Sequence, residues 1–235
     1  MKAYFISDQH FRNSYEKSEQ IKLDKFRRFV EHIKGCDALF IVGDLFHFFF
    51  EYKTQIPKTC FEVMTILKSL QDSGTKIHYF AGNHDFWLGD FFSEQIGATI
   101  YKHAESMVLD GKKFFITHGD EFVAGNKVFR YILRNKLCIR FFYFVHPDIA
   151  YKIGAIVASG CGILSHKKGQ VLLIKVYRIV NQKFLENFDF VIFAHIHSPH
   201  WLHLKNKDVA ILGDWVRHFS YGKFEEGKFK MCFWK

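Results

Sequence analysis

The sequence predicts an α/β fold built on a parallel sheet, from three observations. Short apolar runs of strand length alternate with helix-like stretches in the first third of the chain. Five such runs in the whole sequence end at a group of polar residues. In parallel sheets, ligands bind beyond the carboxyl ends of the strands. We therefore expect the five polar groups to meet at one edge.

The five predicted strands have the same ending. They are AYFIS (3–7), ALFIV (38–42), IHYFA (77–81), KFFIT (113–117) and FVIFA (190–194). The groups that follow them are Asp8-Gln9-His10, Gly43-Asp44, Gly82-Asn83-His84-Asp85, His118-Gly119-Asp120 and His195-Ile196-His197. Five placements of this kind by coincidence are implausible, so we interpret the groups as one site.

Two helices are predicted between the first three strands. Residues 18–34 carry apolar side chains on one face, at Ile21, Phe26, Phe29, Val30 and Ile33. Residues 57–74 open with a proline and close with a glycine, which are the usual signals at the two ends of a helix. The order strand, helix, strand implies crossover connections and therefore parallel strands.

The polar groups offer carboxylate, imidazole and one amide oxygen but no thiolate, a donor set that suits hard or borderline divalent cations. The candidate ligands are Asp8, His10, Asp44, Asn83, His118, His195 and His197. Two ions held close together need a bridging carboxylate, and such a pair positions and deprotonates a water molecule. Asp44 is the natural bridge, because it is the only acidic residue at the end of its strand.

Composition narrows the class of protein. The net charge of +9 favours an anionic partner, which could be nucleic acid, an acidic membrane surface or a phosphorylated small molecule. The five cysteines are scattered without a CxxC pair, which argues against a disulfide framework or a cysteine zinc site. There is no uncharged run of membrane-spanning length and no secretory signal pattern, so the expected location is the cytoplasm.

The ordered motifs DQH, GD, GNHD, HGD and HIH, spanning residues 8 to 197, resemble the signature of the calcineurin-like metallophosphoesterase superfamily. The resemblance implies a four-layer α/β/β/α sandwich with two facing sheets and a dinuclear centre that hydrolyses phosphoesters or phosphoanhydrides. It also implies the ligand assignment. Asp8, His10 and His197 would hold one ion, Asn83, His118 and His195 the other, and Asp44 both.

Several segments are similar to a narrower family within it, the UDP-2,3-diacylglucosamine hydrolases. They are ALFIVGDLF (38–46), GNHDFWLG (82–89), THGDEF (117–122) and AILGDW (210–215). This likeness implies cleavage of the substrate pyrophosphate to UMP and 2,3-diacylglucosamine 1-phosphate in lipid A biosynthesis, with Mn²⁺, at the cytoplasmic face of the inner membrane. The chain departs from that family at His84, where Arg is common, and at His47, where an acidic residue is common.

Two catalytic residues are predicted beside the metals. His84 donates a hydrogen bond or a proton to the reacting phosphate, and Asp85 orients His84. Asp120 is expected to act behind the ligands. Asn83, His84 and His195 are also expected to contact the substrate.

Residues 123–185 interrupt the strand pattern with apolar residues at helical spacing and many basic side chains. They predict an inserted helical cap or lid on a core formed by residues 1–122 and 186–235. Clustered aromatic and basic residues suit an acyl-chain pocket and an anionic membrane surface. By resemblance, Ser159, Lys167 and Lys168 would contact the substrate.

Two alternatives stay open. His84 restores the general superfamily motif, which favours a soluble phosphodiesterase or phosphomonoesterase acting on nucleotides. A non-catalytic scaffold that binds nucleic acid or membrane through its basic surface would be expected to have lost ligands, yet all seven are present. No nucleic-acid partner and no obligate protein partner are therefore expected.

Overall fold

The computed structural model describes residues 1–12, 14–123, 135–166, 176, 187–204 and 207–235, and only the backbone of residues 123, 160–166 and 204. These residues form two sheets with helices packed against them. The α/β prediction is confirmed. The strand pattern alone predicted a single parallel sheet, whereas the ligand-bearing strands are divided between two sheets, as the resemblance implied.

The first sheet carries the first three ligand-bearing strands at its centre. Its order is β11-β10-β1-β2-β3-β4. The strands are β1 (Lys2–Ile6), β2 (Ala38–Val42), β3 (Lys76–Phe80), β4 (Thr99–Tyr101), β10 (Ser220–Glu225) and β11 (Lys228–Phe233). Strands β1 to β4 pair in parallel, and β10 and β11 add an antiparallel edge. Parallel pairing places the carboxyl ends of β1, β2 and β3 side by side.

The second sheet carries the other two ligand-bearing strands. Its order is β5-β6-β7-β9-β8. The strands are β5 (Glu105–Leu109), β6 (Lys112–Ile116), β7 (Phe190–Phe193), β8 (His200–Leu204) and β9 (Lys207–Ile211). Strands β6, β7 and β9 are parallel, and antiparallel strands flank them on both sides.

An aromatic core joins the two sheets face to face. Phe5 of the first sheet stacks on Phe114 of the second, with ring centroids 5.8 Å apart. Phe5 also stacks on its neighbour Phe40 at 4.6 Å. These rings belong to one buried cluster that includes Ile192 and Leu212 from the second sheet. The cluster fixes the two sheets relative to each other and so aligns their carboxyl ends.

Six α-helices lie within the described residues, and the first three pack against the outer face of the first sheet. The helices are α1 (Lys17–Ile33), α2 (Phe61–Asp72), α3 (Phe91–Glu94), α4 (Asp120–Val123), α5 (Lys136–Phe142) and α6 (Pro147–His166). The two helices predicted from the sequence are confirmed as α1 and α2, and a short 3-10 turn at Lys58–Cys60 precedes α2. Phe26 and Phe29 of α1 are fully buried, but Ile21, predicted on the same face, is 51% exposed. The outer face of the second sheet buries Val176.

The described part of the predicted cap consists of α5 and α6. Residues 124–134, 167–175 and 177–186, including Lys167 and Lys168, lie outside the described residues. Among the helices that the structure describes, none combines the length and the apolar character needed to cross a bilayer.

Candidate active site

The predicted ligands gather at the carboxyl ends of both sheets. Strands β1, β2 and β3 lead into the first four, and β6 and β7 lead into the other three. Backbone hydrogen bonds join the loops: Asp8 N–H donates to the Gly43 carbonyl at 3.1 Å, and His10 N–H donates to the Asp44 carbonyl at 3.0 Å. Ligands that are far apart in the sequence therefore lie in one cluster.

One donor group contains Asp8, His10 and His197, whose ligand atoms all lie within 4.8 Å of one another. Nε2 of His10 is 3.2 Å from Nε2 of His197. Oδ1 of Asp8 is 3.4 Å from the same His197 nitrogen. This is the set that the sequence analysis assigned to the first ion.

A second donor group contains Asp44, His118 and His195, again within 4.8 Å. The Asn83 side-chain oxygen lies 3.1 Å from Nε2 of His118, so the fourth predicted member stands beside this group. Oδ2 of Asp44 is 3.3 Å from Nε2 of His118 and 3.7 Å from Nε2 of His10. One carboxylate therefore faces both groups, as a bridging ligand must.

Two glycines make room for this arrangement. A Cβ atom on Gly82 would lie 2.0 Å from Oδ1 of Asp44, and one on Gly43 would lie 2.3 Å from Nδ1 of His118. Gly43 also has φ +83, a conformation that L side chains rarely adopt. The glycines in the GD and GNHD motifs thus let the backbone approach the ligands closely.

Five of the seven predicted ligands have left-handed backbone conformations. They are Asp8 (φ 54), His10 (φ 47), Asp44 (φ 55), His195 (φ 67) and His197 (φ 58). Such φ values are uncommon for residues with a Cβ and cost on the order of 1–3 kcal/mol each. The surrounding structure must hold these residues in place, and clusters of such conformations are typical of functional sites.

The buried carboxylates fit a cation. Oδ1 of Asp8 and Oδ2 of Asp44 are both buried without a hydrogen-bond partner, and both face imidazole nitrogens. Buried ionised groups are normally paired or bound to metal, because leaving them uncompensated is costly. Burial lowers the pKa of His118, but the charge of Asp44 outweighs burial and raises that pKa well above its usual value. The donor cluster therefore attracts positive charge.

Three of the histidines are suited to donate a lone pair. Burial lowers the pKa of His10 to about 4 and that of His195 to about 3, which favours neutral imidazole. Nδ1 of His118 contacts the Val42 carbonyl at 2.9 Å. A carbonyl only accepts, so His118 Nδ1 keeps its hydrogen, and a bound ion would take the place of the second hydrogen that the raised pKa implies on Nε2.

His84 lies beside both donor groups. Its backbone N–H donates to Oδ1 of Asp44 at 2.9 Å, and its ring Nε2 is 3.9 Å from Oδ2 of the same residue. Its Nδ1 lies 2.7 Å from the main-chain carbonyl of His47. Ring nitrogens of His10, His47 and His84 form a third group within 4.8 Å. The two positions where the chain departs from the resembling hydrolases are thus neighbours in space.

Asp85 is buried, and its carboxylate accepts hydrogen bonds from backbone N–H groups and a tyrosine hydroxyl, whereas the His47 carbonyl contacts Nδ1 of His84. Its carboxylate accepts from the N–H groups of Asp44, Leu45 and Gly82, at 3.2, 2.7 and 2.7 Å. It also accepts from the Tyr79 hydroxyl at 2.5 Å. Asp85 therefore ties the GD loop to the GNHD loop. Asp120, at the start of α4, is buried as well, and its predicted role stays a prediction.

Asp214 was not among the predicted site residues, although it lies in the AILGDW segment (210–215). Oδ2 of this buried carboxylate is 3.6 Å from Nδ1 of His197, on the side of the ring opposite the donor group. Oδ1 accepts from the backbone N–H groups of residues 216 to 218. A carboxylate behind a metal-binding histidine orients the ring and increases its basicity. The available signal was a glycine–aspartate pair directly after the apolar residues 210–212, the same ending that Gly43-Asp44 gives to β2.

Ser159 lies on α6, where its Oγ is 3.2 Å from Nε2 of His47. It therefore reaches the rim of the site through a histidine and not through the donor groups. Of the predicted substrate-binding residues in the cap, Ser159 is the one that falls within the described part of the chain.

Comparisons with known proteins find a matching family model and related sequences. The family model described as calcineurin-like phosphoesterase matches residues 1–199. A UDP-2,3-diacylglucosamine hydrolase of Porphyromonas gingivalis is 30% identical over 251 residues, covering 95% of this chain and 94% of that protein. A protein of the same name from Blochmanniella pennsylvanica is 29% identical, with 94% and 90% covered. A solved archaeal phosphodiesterase is 16% identical with a TM-score of 0.47, covering 99% of both chains.

Proposed function

Because the chain belongs to the calcineurin-like phosphoesterase family, and is therefore a metal-dependent hydrolase of phosphoester or diphosphate bonds, we propose that its substrate is UDP-2,3-diacylglucosamine. The products are UMP and 2,3-diacylglucosamine 1-phosphate, as in lipid A biosynthesis. The observation that carries the proposal is the near full-length similarity to hydrolases of that name, which extends through the α5–α6 region as well as the donor groups.

The predicted site residues have the following proposed roles as metal ligands. Asp8, His10 and His197 would hold one divalent ion, Asn83, His118 and His195 would hold a second, and Asp44 would serve both. When bound, the ions supply Lewis-acid charge and lower the pKa of the attacking water. The ligand set accepts Mn²⁺, Fe²⁺ or Zn²⁺, and Mn²⁺ is the ion we propose.

His84 acts on the reacting phosphate. The His47 carbonyl fixes the hydrogen of His84 on Nδ1, which turns Nε2 toward the donor groups near Oδ2 of Asp44. A protonated Nε2 can donate a hydrogen bond to a phosphate oxygen as negative charge develops there. Asp214 keeps the His197 ring in its coordinating orientation from behind.

The described cap helices suit a lipid substrate. Helices α5 and α6 and the loop between them expose large apolar side chains at Leu137, Phe141, Phe144, Ile149, Ile153 and Ile156, with Phe144 82% exposed. Lys136, Arg140 and Lys152 are exposed on the same helices. Exposed apolar groups next to basic ones are typical of surfaces that bind anionic membranes. The protein would then act at the cytoplasmic face of the inner membrane, with the diacyl sugar entering beside α5 and α6.

The test compares three kinds of substrate with the same metal-loaded protein. UMP release from UDP-2,3-diacylglucosamine is measured beside hydrolysis of bis(p-nitrophenyl) phosphate and of nucleotide monoesters, with Mn²⁺, Fe²⁺ or Zn²⁺ supplied in turn. The proposal expects the diacylated substrate to be cleaved with the highest kcat/KM. Activity confined to the soluble compounds would establish the alternative, a soluble nucleotide phosphodiesterase or phosphatase, which the GNHD motif favours.

Membrane binding is tested separately by co-sedimentation with vesicles containing an anionic phospholipid and with neutral vesicles. The expected result is binding to the anionic vesicles that weakens with salt. Replacing Phe141 and Phe144 together by Ser should abolish it. Equal binding of the wild type and the double variant would show that Phe141 and Phe144 do not contribute to membrane binding.

A further inference from the structure

The segment between β2 and α2 connects the site to the cap helix. Within it, the His47 carbonyl accepts from His84 Nδ1 at 2.7 Å, while the His47 ring contacts the Ser159 hydroxyl of α6 at 3.2 Å. We propose that His47 is a positioning residue, held by Ser159, that orients the imidazole of His84 for catalysis. The inference rests on the proposed role of His84 and on the hydrolytic chemistry of the family, and not on the diacyl substrate.

The donors and acceptors in this chain of contacts can be assigned. The Ser159 hydroxyl lies 2.8 Å from the Ala155 carbonyl, to which it donates its one hydrogen. The contact with His47 must therefore run the other way, with His47 Nε2–H donating to Ser159 Oγ. The His47 carbonyl can only accept, so His84 Nδ1–H donates to it. These contacts define one tautomer of neutral His47 and keep His84 Nδ1 protonated.

The same segment is attached to His84 on one side and to α6 on the other. On the His84 side, the Phe49 N–H donates to the His84 carbonyl at 3.1 Å. On the α6 side, the Tyr151 hydroxyl donates to the Phe50 carbonyl and also accepts from the Phe50 N–H. A displacement of α6 is therefore transmitted to the backbone that holds His84.

Close packing limits the movement of α6 relative to the segment between β2 and α2. A Cβ atom on Gly154 of α6 would lie 2.3 Å from the ring of Phe48, so the helix backbone rests directly on that ring. The Phe48 ring also packs edge-on against Tyr151, with centroids 5.5 Å apart. Tightly packed side chains move together and transmit strain. Ser159 and His47 are thus the hydrogen-bonded end of a contact that extends through two turns of α6.

The experiment uses bis(p-nitrophenyl) phosphate, a small diester without acyl chains, and the full-length metal-loaded protein. Ser159→Ala and His47→Phe each remove the contact, and His47→Phe keeps the ring volume. A single hydrogen bond of about 0.5–1.5 kcal/mol corresponds to a fall in kcat of roughly 2- to 13-fold. KM for the small diester and the bound metal should stay unchanged. The double variant should lose no more than either single variant, because both remove the same contact.

Conservative variants and a matched control separate positioning from folding. Ser159→Thr keeps the hydroxyl and His47→Gln keeps a side-chain N–H, so both should recover most of the lost kcat. Thr65→Ala removes a hydroxyl that makes the same bond to the carbonyl four residues earlier, on an exposed face of α2, and should leave kcat as in the wild type. Side-chain ¹⁵N shifts should show His47 protonated on Nε2 and His84 on Nδ1, with or without activity.

Three results would overturn the inference. The first is wild-type kcat on the small diester for Ser159→Ala with a raised KM for the diacylated sugar nucleotide, which would make Ser159 a substrate contact alone. The second is additive losses in the double variant. The third is His47 protonated on Nδ1 instead of Nε2. Failure of the substrate proposal looks different: the small diester is cleaved and responds to these variants, while the diacylated sugar nucleotide is not cleaved.

Discussion

Gly82 lies against Asp44 so closely that a Cβ atom on the glycine would stand 2.0 Å from the carboxylate Oδ1 and 2.6 Å from the Asp44 nitrogen. The Gly82→Ala variant must therefore displace the bridging carboxylate or its backbone. We expect bound metal to fall below one equivalent and kcat to fall by about 10²-fold or more. Metal analysis by mass spectrometry checks this. Gly35→Ala, where nothing lies within 4 Å but φ is +82, should cost stability and keep the metal.

Asp44 faces both donor groups, so its replacement should affect both ions. The Asp44→Asn variant is expected to retain at most one equivalent of divalent metal and to lose on the order of 10²- to 10³-fold in kcat. Metal content and initial rates are measured on the same sample. Asp110→Asn is the matched control, because Asp110 has nearly the same φ (51 against 55) but lies in an exposed turn. Two ions retained by Asp44→Asn would refute the bridging role.

His84 is expected to contribute to the rate and not to metal binding. His84→Gln keeps an N–H that can reach the His47 carbonyl but removes the group that can be protonated at Nε2. We expect kcat to fall by about 10²-fold, within the range typical of a general acid, with two ions still bound. His103→Gln, at an exposed position, should behave as wild type. A parallel loss of metal in His84→Gln would reassign His84 as a ligand.

Asp85 should stabilise the folded protein, because its carboxylate accepts hydrogen bonds from three backbone N–H groups and from the Tyr79 hydroxyl. In Asp85→Asn, the amide N–H₂ replaces one accepting oxygen and faces buried donors. The expected loss is about 2–4 kcal/mol in the free energy of unfolding, measured by urea denaturation of metal-free protein. Tyr79→Phe removes one of the four bonds and should cost about 1 kcal/mol. Equal losses in the two variants would contradict this account.

Asp214 should give the protein an acid-dependent stability. Burial raises its pKa, but the close approach of His197 and hydrogen bonds from the N–H groups of Arg217 and His218 outweigh burial and hold the pKa well below its usual range. The unfolded chain takes up the proton near pH 3.9, before the folded chain does, so stability falls as pH falls. The advantage of wild type over Asp214→Asn in unfolding free energy should therefore shrink between about pH 5 and pH 3.

The protonation state of His197 does not change over the pH range of that comparison. Burial lowers the pKa of His197, but Asp8 and Asp214 outweigh burial and raise it, so His197 stays protonated throughout this acidic window in the wild type. Urea unfolding of chelator-treated protein at pH 3, 4 and 5 provides the measurement. A difference between the two proteins that stays constant over this range would show that the Asp214 carboxylate is not ionised in the folded state.

The strand endings were readable from the sequence because a buried strand is apolar, and a polar residue directly after it marks its end. Asp44, His118 and His195 were found in this way. Periodicity could not show that β6 and β7 belong to a different sheet from β1 to β3, since the same alternation serves either sheet. Only the ordered motifs implied the second sheet.

The roles of Asp214 and His47 could not be predicted from the sequence, for a different reason. Both act through a neighbouring imidazole, and such contacts depend on side-chain direction and loop path, which a spacing pattern does not encode. Asp214 reaches His197 from the turn after β9, and His47 reaches His84 through a main-chain carbonyl that any residue type would provide. The left-handed conformations of the predicted ligands could not be read from the sequence either, because Asp and His are enriched in this region but most of them lie outside it.

The division of the donors between two sheets has a consequence for biosynthesis. His10 and His197 stand 187 positions apart, so a ribosome has made more than four-fifths of the polypeptide before the first donor trio can close. Neither sheet carries a complete set, so a fragment that ends before β7 lacks at least one member of each donor group.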